Sequence, residues 1–227
     1  MNALAIDCAT ARLGIAAQKG TSLIHLSLVT GTNQAEKLLP AIDAVLHELS
    51  LAPAELDFTA VTSGPGSFTS LRLGFSTLKA LTLSHGIPLY GIPTLDAAAW
   101  PFRKSTEAVL SVLEAKSGEF FYAPFLREQK LSEPEQQNVE AILKTLDPEA
   151  DVTVCGPGAT AFLKAVSQCT PLYALHSLGH QTDSAETLLS MGADRHAGHK
   201  PPLADYDGPN YFRKSEAERQ HEARQHN

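Results

Sequence analysis

The sequence predicts an α/β protein built from two related halves, and three observations carry that reading. Residues 1–85 alternate as three strands, a helix, a strand and a helix. A strand that breaks at Gly64-Pro65-Gly66 and leads into a helix occurs again at Gly156-Pro157-Gly158. Repetition over so long an interval points to two duplicated subdomains rather than to an array of short repeats. Ahead of the second turn lies another pair of apolar runs, 108–115 and 119–126, joined by Lys116-Ser117-Gly118, which suits a hairpin.

Ala3-Leu4-Ala5-Ile6 ends at Asp7, so residues 2–7 read as a buried first strand and not as a secretion signal, which would carry a basic flank. Residues 13–18 and 23–29 return as its partners, joined by short polar turns. Residues 34–50 are helical, because Leu38, Ile42, Val45 and Leu49 recur at helical spacing, and Pro40 should kink that helix or mark its true first turn. The run 58–62 is a strand. In the helix that follows, from about 69 to 85, Leu71, Phe75, Leu78 and Leu81 form one stripe, with Ser67 or Thr69 as the cap. Residues 127–138 are polar and loop-like, 139–146 form a short helix, 151–154 a strand, and 183–191 a helix capped by Asp183 or Ser184. From there the chain reads as loop to Gly208, with a last extended piece at 209–213. The expected division is 1–103 and 104–213, with 214–227 as a polar tail that lacks an apolar stripe.

Hydrophobic residues make up 43% of the 227 and charged residues 19%, a globular composition able to bury a sizeable core. No apolar run approaches the ~20 residues that cross a bilayer. Cys8, Cys155 and Cys169 form no CxxC pair, and an odd, scattered set fits a reducing, cytoplasmic setting. The net charge is −7 with no run of Lys and Arg, so the chain is a poor grip on nucleic acid by itself.

The glycine turns invite a phosphate, since each sets backbone N–H groups at a helix start. Neither is followed by Lys-Ser or Lys-Thr, so neither is a Walker loop. Asp7 stands where a phosphate-handling hairpin would carry its acid, but Ala9 stands where bare glycine backbone is needed. Capping of the hairpin by Asp7 and Thr10 is the preferred reading, with a weak nucleotide contact at Gly156–Gly158 as the alternative. His196 and His199, with Asp194 and Asp205 near them, suggest a metal, but Gly198 and two prolines leave no helix to fix ligand geometry, so solvated loop histidines are expected. Ser63 and Ser67 lack a Gly-x-Ser-x-Gly elbow, which argues against a serine hydrolase.

Asp7-Cys8-Ala9-Thr10, Leu38-Leu39-Pro40, Gly64-Pro65-Gly66-Ser67-Phe68-Thr69 with Leu71-Arg72, and Tyr211-Phe212-Arg213 together resemble the TsaB (YeaZ-like) family of bacterial tRNA threonylcarbamoyladenosine biosynthesis proteins. The resemblance is close over about residues 1–126 and looser beyond. It implies an actin-like, hexokinase-like ATPase (ribonuclease H-like) fold of two duplicated subdomains, and a non-catalytic role beside a catalytic paralogue, TsaD. It further implies a TsaE-like ATPase met through the complex, self-pairing when alone, contact with tRNA only through the complex, and neither cofactor nor metal. It places the partner face on the two N-terminal-half helices, at Leu39, Ile42, Leu46, Leu71, Arg72 and Phe75. Asp7, Thr10, Gly64, Gly66, Gly156 and Gly158 become degenerate phosphate-loop positions. The sequence departs from the family in four places: Gln34 where His is common, Ser70 where Gly is, Glu114-Ala115-Lys116 for Asp-Ala-Arg, and Tyr211-Phe212-Arg213 for Tyr-Leu-Arg. A small-molecule kinase or ATPase of the same fold is the competing expectation.

Overall fold

The computed structural model describes residues 1–169, 173–177 and 183–212, so Arg213 and the tail 214–227 lie outside the described residues. In the first half, β1 (Asn2–Asp7), β2 (Arg12–Lys19) and β3 (Ser22–Val29) form an antiparallel meander. After α1 (Gln34–Glu48), the strand β4 (Phe58–Thr62) pairs parallel to β1; after α2 (Phe68–His85), β5 (Leu89–Ile92) pairs parallel to β4. The sheet order is β3-β2-β1-β4-β5. Pro40 lies inside α1, not at its first turn.

A short helix, α3 (Thr94–Ala99), leads to the second half. There β6 (Ala108–Glu114) pairs antiparallel with β7 (Glu119–Leu126), and β8 (Gln129–Lys130) and β9 (Glu135–Asn138) both pair with β7. The two short strands correct the expectation of loop at 127–138, where polar composition hid edge pairing. Helix α4 (Val139–Leu143) follows, then β10 (Asp151–Cys155) parallel to β6, α5 (Ala159–Val166), β11 (Ala174–His176) parallel to β10, and α6 (Ala185–Ala197). Strand for strand, β7-β6-β10-β11 repeats β2-β1-β4-β5, which is the duplication expected from the two glycine turns.

Alternation along β1 sorts the core. Leu4 and Ile6 meet Leu38, Ile42, Val45 and Leu46 of α1 and Phe75 and Leu78 of α2. Ala3 and Ala5 face the other way, and their small side chains let Leu188, Leu189 and Met191 of α6 approach. The second sheet is layered likewise, with α4 and α5 on one face and Leu95 and Ala99 of α3 on the other. Each half thus gives its last helix to the other half's sheet. From the second half of the chain, α6 and residues 201–212 return to the first sheet.

Candidate functional site

The first glycine turn rests on the β1–β2 hairpin. Ser67 donates its N–H to the Ala9 carbonyl at 2.7 Å. A Cβ built on Gly66 would lie 2.6 Å from that carbonyl oxygen and 2.9 Å from Ala9 Cα, so glycine is required by close approach of two backbones. Gly64 has φ +108 and is covered by residues from the far end of the chain. Asn210 donates its N–H to the Ser63 carbonyl at 2.7 Å, and the Asn210 carbonyl fills the space where a Gly64 side chain would stand. The second turn repeats the design. Gly156 has φ +91, a Cβ there would lie 2.6 Å from the Val112 carbonyl, and Gly158 donates to that carbonyl at 2.9 Å. The space directly over each turn is filled by protein backbone.

Asp7 and Thr10 brace the hairpin between them. Asp7 Oδ1 accepts the Ala9 N–H at 3.1 Å and Thr10 Oγ1 accepts the Arg12 N–H at 3.2 Å. Asp7 Oδ2 accepts the Ser184 N–H at 2.8 Å, so the carboxylate also caps the start of α6. Of the two residues expected to cap α6, Asp183 and Ser184, it is Asp183 whose Oδ1 accepts the Ala185 N–H at 3.1 Å, and it also sits against Gly14 and contacts His25 of β3. The His25 ring lies between Asp183 Oδ1 at 2.8 Å and Glu186 Oε1 at 3.0 Å. Sequence reading missed this link between an edge strand and the last helix. Its only trace was a histidine interrupting the apolar alternation of β3.

Burial pushes the Asp7 carboxyl above its ordinary range, the nearby Asp183 adds to the rise, and the bonds from Ser184 and Ala9 oppose it. At a pH between its ordinary and its raised value, Asp7 therefore binds more proton in the folded state than in the unfolded chain. A raised folded value means that the group's contribution is full below the unfolded value and is lost as pH rises through the folded one. Relative to Asp7→Asn, the wild-type protein is expected to gain stability as pH falls towards the ordinary carboxylate value of about 4. Thermal melts of both proteins across that window check this, and parallel curves would refute it.

The remaining candidates fall as follows. Gln34 is buried and its Nε2 donates to the Thr10 carbonyl at 2.6 Å, so it ties the first turn of α1 to the hairpin. Burial pushes the Cys8 and Cys155 thiols up to about 12, which leaves them protonated and unreactive at neutral pH. Ser67 Oγ takes a hydrogen bond from Ser70 Oγ at 3.0 Å and caps no backbone N–H; among the described residues neither Ser63 nor Ser67 pairs with an imidazole. His196 is not a solvated loop residue, since α6 extends to Ala197. Its ring stacks on Phe58 at 5.5 Å. His199 is exposed, and no group of three or more His, Cys, Asp or Glu among the described residues is placed to hold a metal. No helix among them is long and apolar enough to cross a membrane.

The six partner-face residues divide sharply. Ile42, Leu46, Leu71 and Phe75 are buried in the protein's own core, which corrects the expectation that they present surface. Hydrophobic stripes on α1 and α2 proved as wide as one sheet face and a neighbouring helix demand. Leu39, at 64% exposure, and Arg72 remain on the outer side. The Arg72 guanidinium lies 3.9 Å over the Phe68 ring and donates from Nε to the Tyr211 hydroxyl at 2.8 Å. Its partner is therefore a residue from the far end of the chain, not a carbonyl of the glycine turn.

Residues 29–187 match the model of the family described as "TsaD: tRNA N6-adenosine threonylcarbamoyltransferase". The chain is 31% identical over 131 residues to the tRNA threonylcarbamoyladenosine biosynthesis protein TsaB of Buchnera aphidicola, covering 56% of this chain and 62% of that one. It is 29% identical over 122 residues to the Bacillus subtilis protein of the same name, covering 53% of each. The matches thus span between half and two thirds of these relatives' own length. Among solved structures, YeaZ from Pseudomonas aeruginosa superposes with a TM-score of 0.78 at 21% identity, over 92% of this chain and 99% of that one. The likeness in fold extends over both halves.

Proposed function

Because the chain belongs to the tRNA N6-adenosine threonylcarbamoyltransferase family, in its TsaB (YeaZ-like) branch, we propose that it serves as a non-catalytic scaffold for a TsaD-like paralogue in forming threonylcarbamoyladenosine beside the anticodon of tRNA. One observation supports the absence of catalysis. The turn that would receive a phosphate is filled from within, by the Ala9 carbonyl on the Ser67 N–H and by Asn210 over Gly64. Steady ATP turnover by the isolated chain above ~1 s⁻¹, an ordinary enzyme rate, would overturn it. The acidic balance, −7, supports contact with tRNA through the complex and not by this chain alone. A TsaE-like ATPase joins through the same complex, the chain pairs with itself when alone, and the setting is cytoplasmic.

The partner face in this proposal is the outer side of α1 and α2, marked by Leu39 and Arg72. An aromatic-stacked arginine is the kind of anchor that protein interfaces use, and an exposed leucine adds apolar area to the same side. Leu39→Glu is expected to leave the melting temperature close to wild type, since its side chain faces water, and Arg72→Glu to stay folded while losing its contacts with Phe68 and Tyr211. Both are expected to lose self-association and recovery of the TsaD-like paralogue, each tenfold or more, a loss of about 1.4 kcal/mol. Sizing chromatography and co-purification read the two separately. Full recovery of the paralogue by both folded variants would remove this face from the interface.

A further inference from the structure

We infer that residues 201–212 form a strap that locks the two sheets in one relative position, with Arg72 as its catch. The segment has no helix or strand of its own, yet it is tied to the first sheet along its length. Leu203 donates its N–H to the Leu89 carbonyl at 2.8 Å, covering a stretch of the edge strand β5. Lys79 of α2 donates to the Ala204 and Asp205 carbonyls at 3.0 and 2.6 Å, and Asn210 is bound to Ser63. The track is cut for it: a Cβ on Gly91 would press on Leu203 and one on Gly64 on the Asn210 carbonyl.

At its end the strap changes sides. The Tyr211 ring packs on Phe68 at 4.6 Å between centroids while its hydroxyl holds Arg72, and the next residue, Phe212, meets Phe121 of β7 at 6.4 Å. Successive residues therefore touch α2 of the first half and a strand of the second sheet. The anchors upstream are hydrogen bonds to the strap's backbone and the packing of half-buried Leu203 on the first core, whereas the catch consists of one guanidinium, one phenol and two rings near water. The catch is the region that opens first. Where α3 and α6 join the halves through buried apolar contacts, the strap adds a releasable crossing. Arg72 also lies on the proposed partner face, so a partner that draws its guanidinium outward frees Tyr211 and with it Phe212. That consequence rests on the partner reading; the strap itself does not.

Hydrogen exchange on the full isolated chain tests the strap without any partner. In Tyr211→Ala and Arg72→Lys, amides of residues 203–212 are expected to exchange about tenfold faster or more, from the lost cation–π contact and hydrogen bond. Amides of β7 around Phe121 should accelerate with them, while those of α1 stay unchanged. Phe212→Ala, at a half-exposed position, should accelerate β7 but leave Leu203 protected. Unchanged strap exchange in Arg72→Lys and Tyr211→Ala would overturn the catch. A freed strap with unchanged β7 exchange would overturn the locking of the two sheets. Either failure leaves the co-purification result untouched.

Discussion

Leu46→Glu is expected to unfold the protein. Leu46 is 4% exposed and packs with Leu38, Ile42 and Val45 against the first sheet, so a carboxylate there is buried without a partner. That costs several kcal/mol, a large share of the ~5–15 kcal/mol by which domains are stable. Leu39→Glu, on the same helix with the same chemistry, should change stability by no more than about 0.5 kcal/mol, because Leu39 already faces water. Urea titrations of the pair check the contrast. A Leu46→Glu protein that melts near wild type would place Leu46 outside the core.

Gly66→Val should cost nearly as much, for a different reason. Its side chain would enter the contact between the turn and the hairpin, where the Ala9 carbonyl oxygen and Cα leave no room. Overpacking costs about 1–3 kcal/mol or more, and the Ser67–Ala9 hydrogen bond, worth about 1 kcal/mol, goes with it. Because the nearest atoms are backbone, adding Ala9→Gly should not rescue the variant. A double variant with wild-type urea midpoint would show that the Ala9 methyl alone sets the limit.

These two positions show which kinds of reading the sequence supports. The glycines of both turns were legible, since a strand breaking at Gly-Pro-Gly before a helix admits few other local structures. The cap role of Thr10 is local too, reaching only to Arg12. By contrast, Ser67 keeps its N–H from any phosphate through Ala9, 58 positions upstream, and no pattern near Ser67 announces it. In the sequence the Ala9 side chain stood out as the obstacle to a phosphate; in the fold the Ala9 carbonyl does the filling. Leu39 and Leu46 looked alike along the chain, and only the packing of α1 told surface from core. Arg72 was expected to bond its own loop or another chain, and the tie to the Tyr211 hydroxyl, 139 positions on, was not foreseen.

By itself, the sequence determined the longer elements and their order, the duplication, the two turns and, through its motifs, the family, while the short β5, α3 and β11 went unread. Those properties follow from short-range periodicity, from backbone angles that only glycine accepts readily, and from residues close together in the chain. The tertiary structure alone decided that α3 and α6 exchange sheets, that Asp7 caps a helix 177 residues on, and that a strap closes over the first turn. An apolar helix face states that it must be buried, not against which sheet. A carbonyl or carboxylate states that it needs a donor, not from where. Those choices belong to the whole chain, because they are made when both sheets compete for the same helices.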